Sequence, residues 1–421
     1  MAVAAAGAYA ILAVGYRPTG GAPYTGAPFG DLGELMLGQS DRWDAAYYLQ
    51  IAAHGYGAAK TAAFFPLYPL TVSGLGAILS STLVAGILVS LVAFAAALYL
   101  LHRLVALELG ERHARTAVLV MAFFPTALFF SAIYAEALLL ALTVAAVYAA
   151  RTGHWAWAGI LGALAAATHN SGVLVAIPIA LLYLYGPRDK PGEDSLDRLP
   201  SSPSAAPTRS TERSDADSPL EPLSHRLARS LRPRYAVCPD VLWVLLVPLG
   251  LGAFLAYMGL HYGDALRPLH VNSTLWHRHF VLLGGLTHLP HTLWQDLRTI
   301  AKAHPAKLFP ATNGPYRGAA SNLVDLAALI MAVAATVGVL RHLPIAYSAY
   351  TIVALIVYVS APKRLEPLLS LPRFVLVLFP LQMAIAVWLD ERPARRSVWL
   401  ACSAVALGAF AMQFATGRWV A

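Results

Sequence analysis

The sequence predicts an all-α, polytopic membrane protein with about eleven crossings, and three observations carry that prediction. Hydrophobic residues fill 58% of the 421 positions and charged residues only 12%. With a mean hydropathy of +0.60, this composition lies outside that of a soluble globular chain. Apolar runs recur along nearly the whole length, continuous and rich in Ala and Leu, as lipid-spanning helices require and the alternating strands of a β-barrel do not. Basic residues gather between the runs and make no basic helix face. The net charge of +8 therefore fits membrane topology and not a nucleic-acid partner. Two cysteines, Cys238 and Cys402, supply neither a disulfide framework nor a metal quartet, and read as small residues near membrane segments.

In chain order, residues 2–16 form the first apolar run. It lacks a basic leading region and reads as a short first span, not a cleaved signal; it is shorter than the ~20 residues of a full crossing, which leaves room for chain upstream. Residues 40–69, SDRWDAAYYLQIAAHGYGAAKTAAFFPLYP, set two aspartates, an arginine, a histidine and a lysine among aromatic residues. A helix over 41–53 aligns Asp44, Tyr47, Tyr48 and Ile51 on one side, which suits the membrane–water boundary. The prolines of FFPLYP keep a spanning helix from starting before Phe64. Further runs lie at about 82–107, 115–134, 137–150 and 155–187, then near 241–260, 321–340, 344–360, 373–389 and 397–415.

Residues 188–235 are rich in Pro, Ser and mixed charge with little to bury, the composition of a disordered linker. The arginines there favour the cytoplasmic side. The expected organisation is thus a membrane module over 1–187 whose first outer loop is 17–65, the linker, and C-terminal membrane helices over 236–421 with an outer loop at 260–320. With the linker inside, alternation puts the polar clusters on the outer face, provided that 66–80 is a re-entrant or surface helix and 155–187 is two half-lengths meeting at 168–172.

Five clusters could do chemistry. In the first, Asp41 reads as a helix cap, whereas Asp44, held against Trp43 and tyrosines, could act as a base. Glu136, between apolar runs, is either a working acid or an interfacial carboxylate facing water. THNSG at 168–172, with His169 and Asn170, is either a break lining a wet cavity or a kink satisfied by its own hydroxyls. Arg373, with Lys363 and Arg364 upstream, could grip a phosphate or snorkel to headgroups. The 261–280 segment, with Trp276, Arg278, His270, His277 and His279, lacks the spacing of a metal site and reads as a sugar- or headgroup-facing loop. No phosphate-binding glycine loop, dinucleotide fingerprint or nucleophile elbow occurs, which argues against a cytosolic nucleotide donor bound in a soluble fold.

Taken in order, these segments resemble one family. RWDAAYYLQIAAHGY with AFFPLYPL resembles the first extracytoplasmic loop of the PIG-V mannosyltransferases, which add the second mannose to the GPI-anchor precursor, and of their bacterial relatives. FFPTALFFSAIYAEALLLAL, GALAAATHNSG, HYGDALRPLHVNSTLWHR and SLPRFVLVLFPL resemble later motifs. The resemblance implies a GT-C glycosyltransferase fold with surface helices in the first outer loop and a lipid-phosphate-linked sugar as donor. Trp43 and Asp44 match the family's functional Trp-Asp pair. His169 stands where the family has Arg, and Ala265 where it has Pro.

The expected activity is inverting, metal-independent transfer of mannose from polyprenyl-phosphate mannose to an acceptor hydroxyl at the extracytoplasmic face, with no cofactor. Asp44 and Glu136 are the expected catalytic residues. Asp41, Arg42, Trp43, Tyr47, Tyr48, His169, Asn170, Trp276, Arg278, Lys363, Arg364 and Arg373 are the expected substrate contacts. A lipid-linked-sugar flippase or transporter is the rival reading, though no second half repeats the broken THNSG segment; a GT-C transferase of another sugar, or one acting on protein, is the third. The acceptor, a glycolipid, glycan or protein, and the oligomeric state are not legible. The Ala- and Arg-heavy composition points to a GC-rich bacterial genome, and so to a bacterial plasma membrane.

Overall fold

The computed structural model describes residues 37–187, 233–302 and 315–420. The run at 2–16, the start of the first loop and nearly all of the 188–235 linker lie outside the described residues. Among those described there is no β-strand, and the chain is a multi-pass helical membrane protein. Among the described residues four helical segments are long and apolar enough to cross a membrane: Thr82–Leu109, Pro239–Tyr262, Arg317–His342 and Pro393–Ala415. A fifth span forms if the bent pair Leu371–Val377 and Phe379–Asp390 is counted as one.

The described residues begin with short helices. Helix α1 (Asp44–His54) is separated from α2 (Leu67–Leu79) by a 3-10 turn. α1 starts three residues later than the 41–53 pattern predicts, because Trp43 takes φ 57 and cannot continue a right-handed helix upstream. Pro66 caps α2, and with 13 residues α2 is too short to cross unaided. Helix α3 (Thr82–Leu109), capped by Ser81, is the first long span among the described residues.

The run at 115–134 is not one helix. α4 (Glu111–Ala122) stops before Pro125, which lacks an N–H and turns its predecessor out of helical geometry. α5 (Glu136–Arg151) then starts afresh. The run at 155–187 is the expected broken pair, α6 (Trp155–Thr168) and α7 (Ala176–Tyr185), parted at His169 and a 3-10 turn. After the linker come α8 (Leu246–Tyr262), the short α9 (Arg267–Thr274) and α10 (Gly284–Ala301). They are followed by α11 (Pro315–His342) and α12 (Ile345–Val359). The run at 373–389 is broken too, into α13 (Leu371–Val377) and α14 (Phe379–Asp390), bent by 77°. α15 (Pro393–Ala415) closes the bundle.

Buried polar contacts sort the helix ends into two sets. At one end Glu108 closing α3 accepts from Arg151 closing α5 at 2.7 Å and from Tyr347 opening α12 at 3.0 Å. Asp390, closing α14, binds His113 at 2.8 Å and Thr116 at 2.7 Å, both on α4. Tyr183 on α7 meets Cys238 and Asp240, so the chain also leaves for the linker and returns at this end. At the other end the starts of α1, α5 and α13 converge on one ion-pair cluster.

Glycines let backbones touch where lipid offers no hydrophobic drive. A Cβ on Gly250 would lie 1.9 Å from the Ala163 carbonyl oxygen, and one on Gly159 would lie 2.2 Å from that of Trp243. Gly250→Val should therefore force α6 and α8 apart and cost at least about 1–3 kcal/mol. A lowered unfolding midpoint in detergent checks this; an unchanged midpoint contradicts the packing.

Candidate active site

Two helix beginnings and one short helix build the centre. Asp44 and Glu136 each sit in the first turn of their helix, where the macrodipole favours a carboxylate. Arg373 reaches both from α13: its Nη1 donates to Asp44 Oδ2 at 2.6 Å, and its Nε lies 3.1 Å from Glu136 Oε1. The three side chains are 16%, 9% and 10% exposed. The guanidinium also stands 5.5 Å from the Tyr134 ring centroid and 5.7 Å from those of Phe129 and Phe374, favourable positions for a partly desolvated cation.

Tyr134 fixes where α1 begins. Its hydroxyl donates to the Arg42 carbonyl at 3.1 Å and accepts from the Asp44 backbone N–H at 3.3 Å. Trp43 is held between these bonds with positive φ, a conformation that costs a non-glycine residue about 1–3 kcal/mol. Its ring meets Trp419 edge-on at 5.1 Å.

Around this centre lies a cavity of about 320 Å³. Of the residues that the sequence nominated, it is lined by Trp43, Asp44, Tyr48, Glu136, His169 and Asn170, and on the far wall by Trp276, Arg278, Lys363 and Arg373. The others lie elsewhere. Asp41 and Arg42 are buried beneath the site, where Arg42 donates to the Asp41 carbonyl and to Gln39 at 2.9 Å each. Tyr47 stacks on Phe64 at 4.9 Å and meets Trp276 at 5.6 Å, so it backs the wall without facing the cavity. Arg364 lines a neighbouring, larger cavity.

Sequence reasoning missed Trp419, Arg317, Glu366, Asn272 and Phe374, which also line the site. Glu366 joins Lys363 at 2.8 Å and Arg317 at 3.5 Å. The signal available for Trp419 was a lone indole beside Arg418 just past an apolar run.

Four basic side chains, Arg278, Arg317, Lys363 and Arg373, face three carboxylates here, which leaves the cavity cationic. The buried indole N–H groups of Trp43, Trp276 and Trp419 and the Nε of Arg278 have no hydrogen-bond partner among the described residues. Buried donors are rarely left so, and all four belong to residues that line the cavity. His169 adds another. Its Nδ1 accepts from the Ser171 backbone N–H at 3.2 Å, which puts the proton of the neutral ring on Nε2. The turn that holds it needs Gly172, where a Cβ would lie 2.0 Å from the Ala165 carbonyl oxygen.

The nearby histidines have other duties. His270 binds Asp264 at 2.8 Å and holds that exposed carboxyl below its usual range. Among the described residues no group of three or more His, Cys, Asp or Glu converges as a metal site would.

Comparison with known proteins places part of the chain in a family. Residues 29–183 match the Mannosyltransferase (PIG-V) family. GPI alpha-1,6-mannosyltransferase 2 of Mus musculus is 35% identical over 162 residues, which are 35% of this chain and 33% of the relative. Its counterpart in Cricetulus griseus is 36% identical over 153 residues, 34% and 31% of the two chains. GPI mannosyltransferase 2 of Drosophila pseudoobscura pseudoobscura is 31% identical over 133 residues, 28% and 29%. The chain thus spans about a third of the length of the curated relatives that it matches. No solved structure matches it.

Proposed function

We propose, from the premise that residues 29–183 of this chain belong to the PIG-V mannosyltransferase family, that it is an integral membrane transferase of the GT-C type. It moves mannose from a polyprenyl-phosphate carrier to an acceptor hydroxyl, with inversion and without a metal. The observation that carries this reading is the contact of Arg373 with Asp44 at 2.6 Å inside a cationic cavity lined by unpartnered N–H donors.

The chemistry follows from that contact. Arg373 neutralises Asp44. A donor phosphate takes over the guanidinium, which frees the carboxylate to receive a proton. The acceptor oxygen then bonds to the anomeric carbon as the carbon–oxygen bond to phosphate breaks, through an oxocarbenium-like transition state. The hydroxyl proton passes to Asp44, and the electron pair leaves with the carrier phosphate. Charge that builds on the phosphate falls on Arg373, with Arg278 and Lys363 behind it. Glu136, against Arg373 Nε, acts as a positioning residue that keeps the guanidinium aimed. The indoles and His169 Nε2–H take sugar and phosphate oxygens.

Topology supports an outward-facing site, and the Ala- and Arg-heavy composition a bacterial plasma membrane. The linker leaves and returns at the end remote from Asp44, and its arginines favour the cytoplasm.

His169→Ala should raise the donor KM about tenfold, the loss of one hydrogen bond to a charged group. His169→Gln, which keeps a neutral donor, should restore most of it; equal KM values for the two variants contradict the role. The reading as a whole is tested by purified protein in liposomes given radiolabelled polyprenyl-phosphate mannose beside the glucose-linked analogue. Label leaving the mannose carrier for a new acceptor, in α linkage from a β-linked donor, is expected. Label that crosses the bilayer still on its carrier would identify a flippase instead.

A further inference from the structure

At the end of the bundle remote from Asp44, a cavity of about 330 Å³ lies between α11, α14 and α15. We infer that it seats an anionic phospholipid, with an acyl chain between the helices and the headgroup phosphate on Arg341. This cavity shares no residue with the one around Asp44, so the lipid binds whatever reaction that other cavity performs.

Small residues make the space. α11 and α15 both pack on α14, and α11 turns Ala334, Ala335 and Gly338 toward the gap that remains. Gly338 sets how near α14 comes: a Cβ there would lie 3.0 Å from the Ala384 Cβ, the close approach that small residues permit between membrane helices. Met331, Val337 and Ile385 complete an apolar lining. Val337 and Trp388 are 44% and 49% exposed, so the slot is open on the surface that the long spans α11 and α15 present to lipid. Trp388 and Trp399 each stand within two turns of a helix end here, and indoles settle at the membrane–water boundary. A chain of methylenes entering from the bilayer fills such a slot; a soluble ion does not.

Charge decides which headgroup follows the chain. Arg341 and His342 close α11 and line the polar end of the cavity. Glu391, the acid in the lining, is already engaged. It accepts from Arg395 Nη1 at 2.8 Å, and that guanidinium lies 5.1 Å from the Trp388 ring centroid. Asp390 next to it is buried against His113 at 2.8 Å, Thr116 at 2.7 Å and Arg396 at 3.5 Å. Arg341 is exposed and pairs with no carboxylate among the described residues. An uncommitted guanidinium above an apolar slot between membrane helices matches a phosphodiester carried on an acyl chain. A zwitterionic lipid brings the same phosphate but also an ammonium, which Arg341 and the arginines opening α15 repel.

Native mass spectrometry of the full chain tests this, after equilibration in neutral detergent with equal amounts of phosphatidylglycerol and phosphatidylcholine. The parent should retain phosphatidylglycerol with about tenfold preference, the scale of one charge-assisted hydrogen bond. Arg341→Gln should abolish the preference. Arg341→Lys should keep part of it, since an ammonium holds phosphate as a point charge. Ala334→Trp fills the slot while leaving Arg341 in place, and should lose the bound lipid. Arg103→Gln, near the same end on α3 but outside the cavity, should bind as the parent does. Excess glycerol phosphate should not displace the lipid, because it has no chain to bury. No preference in the parent, a preference that survives in Arg341→Gln or Ala334→Trp, an equal loss in Arg103→Gln, or displacement by glycerol phosphate would each overturn the assignment.

Discussion

An Asp44→Asn chain should transfer mannose at least about a hundredfold more slowly than the parent, the loss that follows removal of one well-placed base. The amide is isosteric and can still face Arg373, so the fold and the donor KM should change little while kcat falls. That split identifies a group working in the transition state. A matched comparison is Asp41→Asn. Its carboxyl lies beneath the site and outside the cavity, so its loss should touch stability more than transfer. If Asp44→Asn retained the parent kcat, or lost activity only through a raised donor KM, the proton-accepting role would be wrong.

Replacing Arg373 should do more damage, because the side chain serves structure and chemistry together. In Arg373→Gln, Asp44 and Glu136 face one another partly buried with no intervening cation. Breaking a buried pair of this kind costs about 3–5 kcal/mol. Transfer should also fall by at least about a hundredfold, the scale for losing a preorganised stabiliser of developing charge. Arg373→Lys separates the two contributions: an ammonium restores charge but cannot address two carboxylates as a fork does. It should recover stability more fully than rate. A Gln variant as stable and as active as the parent would show that the guanidinium matters to neither.

How much of this could be read beforehand depends on what each feature rests on. Apolar runs survive as helices because composition alone drives them into lipid, and the break at 168–172 was legible because polar residues there need partners. The breaks after Ala122 and at Leu378 are marked only by Pro125 and Pro380, and the apolar content around them masks both, so the runs at 115–134 and 373–389 read as continuous in the sequence. Asp44 and Arg373 were nominated separately, but nothing local tells that residues 329 apart meet. Local pattern also could not rank Asp41 against Asp44. What turns one down and the other into the cavity is the positive φ of Trp43, fixed by Tyr134 from a distant helix. Tyr47 failed as a sugar platform for a similar reason, since Phe64 and Trp276 occupy its face. Arg317 carries no sequence pattern and Trp419 only that of a lone indole after an apolar run, and packing alone brings them to the site.

The central claim is that Arg373 holds the donor phosphate while Asp44 stands beside the anomeric carbon. It is tested most directly by an experimental structure of the chain in nanodiscs with a phosphonate analogue of polyprenyl-phosphate mannose. The account predicts the phosphonate on Arg373, with its sugar on the Asp44 side and the indoles of Trp43 and Trp276 around it. A phosphonate seated on Arg364 in the larger cavity, or bound among the arginines at the opposite end of the bundle, would contradict it.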